Sequence, residues 1–180
     1  MTSAFNPFLF PYLPPKPTKR KAFISYHHDN DQGWYDLFSQ WYGETLDLFT
    51  NRSLGEPIDS DDTDYIHRVI REMNITGTSL TIVLCGSETW KRKWIDWEIG
   101  TSINKEHALL GIGLATAPSL PGSRVLVPDR YYLNWLSGYA AWRYLLPSAE
   151  NLQAAIEEAV WRSKTYTADM SLPFMKRNRP

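Results

Sequence analysis

Short apolar runs alternate with segments whose large apolar residues recur every three to four positions, and this alternation constrains the fold more than any other feature of the chain. The runs are Lys21–His27, Leu46–Phe49, Leu80–Cys85, Ala108–Leu114 and Arg124–Val127, each of strand length. Between them, Trp34, Leu37, Phe38 and Trp41 keep the spacing of one helix face, as do Ile66, Val69, Ile70 and Met73. Ile95 and Ile99 mark a third helix. Leu152, Ala155, Ile156 and Ala159 mark a last one, with Ser148 as its cap. Strands alternating with helices of this length build βαβ units. The expectation is an α/β fold with a central, mostly parallel sheet of about five strands and helices on both faces.

The ends of the chain read differently. Residues 1–20 form a proline- and aromatic-rich arm, where Pro7, Pro11, Pro14, Pro15 and Pro17 exclude regular helix or sheet. Residues 21–162 hold the single expected domain, and residues 163–180 a basic, exposed C-terminal tail. The aromatic stretch 131–144 has no assignable pattern. A net charge of −1 offers no electrostatic case for nucleic acid or an anionic membrane. No apolar run approaches the roughly 20 residues of a membrane span. The N-terminus lacks the basic-then-apolar order of a signal peptide. One cysteine, Cys85, excludes an internal disulfide, and a cytoplasmic location is the expectation.

In such a sheet, ligands gather beyond the carboxyl ends of the strands at a topological switch point. Three segments reach that edge: Tyr26–Asp29 after the first strand, the acidic loop 52–64 after the second, and the turn at Gly86 and Ser87 after the third. The turn leads into a helix where Trp94 and Glu98, four apart, share a face. That places Glu98 at the margin of the buried face, open to a ligand, with loop 52–64 as the natural lid. A solvated acid beside two core tryptophans is the plainer reading of this helix taken alone.

Other chemistries fit less well. Four histidines and one cysteine show no metal-ligand spacing, so no metal is expected. Cys85 closes an apolar strand, where a thiol behaves as a small hydrophobe. A phosphoreceiver domain would need an Asp ending strand 3 and a Lys ending strand 5, but Cys85 and Gly86 stand at the first place and Pro128 and Asp129 follow the last run. No glycine-rich phosphate loop is present.

Four segments carry a resemblance: AFISYHH at 22–28, IREMNITGTS at 70–79, TIVLCGSETW at 81–90 and KWIDWEI at 93–99. In this order they resemble a TIR-like domain, specifically the signal-producing TIR subunit of the bacterial Thoeris anti-phage defence system. The last segment is the most specific, because a Trp followed four residues later by the catalytic Glu is the TIR pattern, here Trp94 and Glu98.

The resemblance implies a flavodoxin-like/TIR fold and cleavage of NAD+ at the nicotinamide–ribose bond, an NAD+ nucleosidase or ADP-ribosyl cyclase-type reaction. Glu98 would be the catalytic carboxylate, with Trp94, Ser25, Tyr26, His27 and Ser87 as substrate-binding residues and NAD+ as substrate rather than cofactor. The product would be an ADP-ribose-derived, cyclic signalling nucleotide that activates a separate effector protein, after a phage-derived activator and homo-oligomerisation. The alternative is a non-catalytic TIR scaffold that signals through self-association.

Overall fold

A computed structural model describes residues 20–44, 46–50, 75–122, 124–145 and 148–180, with backbone alone for 48–50. The arm 1–19, loop 52–64 and the helix expected around Ile66–Met73 lie outside the described residues.

Five strands form one parallel sheet: β1 (Arg20–Ser25), β2 (Leu46–Thr50), β3 (Leu80–Cys85), β4 (Ala108–Gly113) and β7 (Ala141–Tyr144). Their order is β2-β1-β3-β4-β7, so successive connections leave β1 in opposite directions and the switch point falls between β1 and β3. The pairing aligns Ala22 with Leu80 and Leu80 with Ala108. β3 and β4 are buried at every residue, as the interior of a doubly covered parallel sheet requires.

Helices α1 (His28–Tyr42) and α4 (Ala149–Thr165) cover one face; α2 (Lys93–Asn104) and α3 (Asp129–Leu136) cover the other. On the first face Ala22, Ile24, Leu80, Ile82 and Leu110 meet Phe38, Leu152 and Ile156. On the second, Val83, Cys85 and Leu109 meet Ile95, Ile99, Ile103 and Tyr131. The flavodoxin-like α/β architecture expected from the sequence is therefore present.

Ser148 caps α4 as expected, accepting the Asn151 N–H at 3.3 Å. Two other expectations need correction. The run Arg124–Val127 is not the fifth sheet strand. Arg124–Val125 (β6) instead pairs antiparallel with Ser119–Leu120 (β5) across the turn at Gly122, whose φ of +80° suits glycine. The fifth strand comes from the unassigned aromatic stretch, as Ala141–Tyr144 on the edge of the sheet. Helix α1 is rotated from the expected face: it buries Asp31, Tyr35, Phe38 and Tyr42 and leaves Trp41 51% exposed. The Tyr35 ring stacks on Tyr26 at 4.7 Å and 2°, which turns that side inward.

Residues 166–180 follow α4 as irregular chain, half-buried or exposed, but hydrogen-bonded to α2 and α3 along their length. No described helix is long and apolar enough to cross a membrane.

Candidate functional site

Strand alternation assigns the residues after β1 to opposite faces. Phe23 and Ser25 point toward α2, whereas Ala22, Ile24 and Tyr26 point toward α1. At the end of β1, Ser25 Oγ–H donates to Glu98 Oε2 at 2.6 Å, a contact buried between residues 73 positions apart. Glu98 is 5% exposed, so it lies deeper than the margin expected from the helix pattern. The reason is α2 itself. Every residue from Ile95 to Ile103 is buried, because the helix is enclosed by the sheet on one side and by the chain after α4 on another.

The helix backbone at Glu98 is tied to the sheet by a polar chain. Ser102 Oγ–H donates to the Glu98 carbonyl at 2.7 Å and accepts from Thr81 Oγ1 on β3 at 2.8 Å. Thr81 also lies 3.1 Å from His107 Nδ1, whose pKa burial lowers to about 4, so this imidazole is neutral at physiological pH.

Of the expected substrate-binding residues, Ser25 alone makes a described hydrogen bond to Glu98. Trp94 stands one turn before Glu98, half-buried, with its ring 5.5 Å from Trp97 and against the patch formed by Phe23, Ile75 and Trp97. Lys93 Nζ sits 4.8 Å from the centroid of the Trp94 ring. Tyr26 belongs to the opposite face, where its hydroxyl donates to Gln32 at 2.8 Å. His27 is 9% exposed, and desolvation first, then the Arg92 charge, lowers its pKa; its Nε2 lies 3.5 Å from Asp29. Ser87 is half-buried and accepts from Asn30 Nδ2 at 3.4 Å.

Beside this centre, at the switch point, lies a second polar group that the sequence pattern does not reveal. Asp31, on the first turn of α1, is fully buried; burial pushes its pKa up to about 6, against hydroxyls of Thr89 and Thr116. Its carboxylate lies so close to Gly86 that any Cβ there would collide with it. Thr89 Oγ1 also accepts the Gly86 N–H at 2.8 Å, fixing the turn after β3. Arg92 pairs with Glu88 one turn away. His27 Nδ1, Asp31 Oδ1 and Arg92 Nε are buried polar atoms with no hydrogen-bond partner among the described residues. They leave donor and acceptor capacity at the edge of the sheet where a ligand would enter. Neither Asp31 nor Arg92 stands in a local pattern that would mark it in the sequence.

No group of three or more His, Cys, Asp or Glu among the described residues could hold a metal. Burial and the Asp31 charge push the Cys85 thiol well up, which removes it as a nucleophile. What the centre offers is one carboxylate, 5% exposed and oriented by a hydroxyl, one helical turn from the Trp94 indole. Such a group can hold a sugar hydroxyl and stabilise positive charge that develops nearby.

The comparison with curated proteins gives no match. Among solved structures, the TIR domains of the activated Roq1 resistosome directly recognizing the pathogen effector XopQ align at a TM-score of 0.39 and 10% identity, over 81% of this chain and 84% of that one. The family model for the TIR-like domain of Thoeris protein ThsB matches residues 23–119, which include Ser25, the whole of β3 and α2, and Glu98. That match spans just over half of the chain, and the chain belongs to the Thoeris ThsB TIR-like family.

Proposed function

We propose that this protein cleaves NAD+ at the nicotinamide–ribose bond and converts the ADP-ribosyl unit into a signalling nucleotide, cyclic where water is kept out. The observation that carries this reading is the Glu98 carboxylate, 5% exposed and held at 2.6 Å by Ser25 at the switch point of the sheet. Glycoside hydrolysis commonly uses two carboxylates, one of them to protonate a poor leaving group. Nicotinamide departs from a cationic pyridinium and needs no proton, so one carboxylate is enough. Glu98 would hold a ribose hydroxyl and stabilise the oxocarbenium-like state, while Trp94 walls the site and offers a ring on which the base packs. Ser25 orients Glu98. His27 and Ser87 would meet the nucleotide at the mouth. Tyr26, on the α1 face, would support that mouth through its stacking on Tyr35. Exclusion of water favours attack by a group of the substrate itself over hydrolysis.

Membership of the Thoeris ThsB TIR-like family supports a role for this reaction in anti-phage defence. The nucleotide would activate a separate effector protein, and a phage-derived trigger with self-association would switch the enzyme on. The rival reading is a non-catalytic scaffold that signals by self-association. It is favoured by the depth of Glu98, since a buried carboxylate satisfied by a serine also serves as a structural tie.

Incubating the protein with NAD+, with and without lysate of infected cells, and measuring free nicotinamide separates the two. The expected outcome is release by wild type and a loss of about 1,000-fold for Glu98→Gln, a stabilisation of about 4 kcal/mol in the transition state. Equal release by both proteins would remove Glu98 from the mechanism.

A further inference from the structure

Lys93, Asp96, Trp97 and Gly100 are spaced three, four and seven residues apart, so they form one stripe along α2. Residues 174–178 run along that stripe. Asn178 Oδ1 accepts the Lys93 N–H at 2.9 Å, supplying from 85 residues away the cap that Arg92 at the N-cap position does not give. The Met175 N–H donates to Asp96 Oδ2 at 2.9 Å, and Trp97 Nε1–H donates to the Met175 carbonyl at 2.8 Å. The Phe174 ring covers Gly100 so closely that a Cβ would collide with it. From behind, Arg130, 1% exposed, grips Asp96 through Nε and a terminal nitrogen at 2.9 and 3.2 Å. Its remaining N–H groups reach the carbonyls of Leu172 and Pro173 at 3.0 Å each.

Glu98 lies on a different stripe of the same helix, with Trp94 and Thr101, while Ile95, Ile99 and Ile103 pack on the sheet. Apolar packing is non-directional and tolerates a small rotation of the helix about its axis. Hydrogen bonds to Lys93, Asp96 and Trp97, on two successive turns, do not. A rotation of about 20° would carry a carboxylate roughly 6 Å from the axis by about 2 Å, enough to break its bond to Ser25. Ser102 and Thr81 tether the far half of α2 to β3, which leaves the half before Glu98 to the chain after α4.

We propose that residues 172–179 are a positioning strap: by gripping the stripe from Lys93 to Gly100 they set the rotation and depth of α2 and so hold Glu98 against Ser25. The catalytic consequence rests on the NAD+ reading above; the placement of the helix does not.

Three variants test it. Gly100→Ala improves helix propensity yet pushes Phe174 away, Asn178→Ala removes only the cap, and a chain ending at Ser171 removes the strap. Each is measured by kcat and KM for nicotinamide release, by amide hydrogen exchange and by melting. The expected result is a fall in kcat of about tenfold for each single variant and about 100-fold for the shortened chain, with KM within about twofold. Exchange at residues 97–102 should rise at least about tenfold while β3 and β4 keep their protection. Unchanged exchange in α2, a change in KM alone, or equal loosening of β4 would each overturn the proposal. If wild type releases no nicotinamide even with lysate of infected cells, the NAD+ reading fails and the exchange pattern alone decides the strap. If the shortened chain does not fold, the two single variants decide it by the same criteria.

Discussion

The two faces of the sheet are built from different materials. Under α1 and α4 the contacts are almost wholly apolar, from Ala22 and Ile24 through Leu80, Ile82 and Leu110 to Leu152 and Ile156. Under and around α2 and α3 the interior contains Ser25, Thr81, Asp96, Glu98, Ser102, His107, Arg130 and Asn134, each at most 5% exposed. Apart from Asp31 on the first turn of α1, the first face can be satisfied by volume alone. The other is correct only when each donor finds its acceptor, because an unmatched buried polar group costs about 1–3 kcal/mol. A face of that second kind is less tolerant of substitution but fixes geometry, which is what a site with a single carboxylate requires.

The sharpest break of this contrast is Arg130→Ala. It leaves Asp96 buried without its cation and strips Leu172 and Pro173 of their donor, so urea unfolding should show a loss of about 3–5 kcal/mol. A loss below about 1 kcal/mol would mean that the polar face holds through packing alone. On the apolar face, Leu110→Ala should cost about 2–4 kcal/mol through the cavity it leaves. Nicotinamide release per folded molecule should be unchanged in that variant, and a large fall would show that the faces are not separable. The smallest effect is at Asp31. Its pKa rises from 3.8 to about 6 on folding, so the folded chain keeps a proton that the unfolded chain releases. Stability therefore falls as pH rises from about 4 to about 6 and stays lowered above that window. Asp31→Asn should flatten the fall and raise stability at pH 7 by about 1–2 kcal/mol, measured by melting across that range.

The apolar face and the centre of the sheet were legible because burial leaves periodicity in the chain. Leu80–Cys85 is a strand with the bounds its apolar run suggests, and the Trp94 to Glu98 spacing does place them on one side of a helix. The pairing of Ser25 with Glu98 needed the fold, since nothing local links residues so far apart. Alternation along β1 would already have separated Tyr26 from Ser25. Ala141–Tyr144 gives no strand signal because an edge strand of four residues, two of them half-buried, carries neither a continuous run nor a clean alternation. Arg124–Val127 has the better strand composition and yet ends in a hairpin, since Pro128 stops it before it could extend. The grip of residues 172–179 on α2 uses mainly backbone groups, which are the same in every sequence, so no residue pattern announces it.

Cys85, the chain's single cysteine, ends β3 beside the switch point and is fully buried. Thiol reagents attack the thiolate, and here burial suppresses the thiolate while packing excludes the reagent. Alkylation of the native protein must therefore wait for the end of β3 to come out of the sheet. The rate of that labelling is a clock for the opening of the central strand, built into the chain without any added probe.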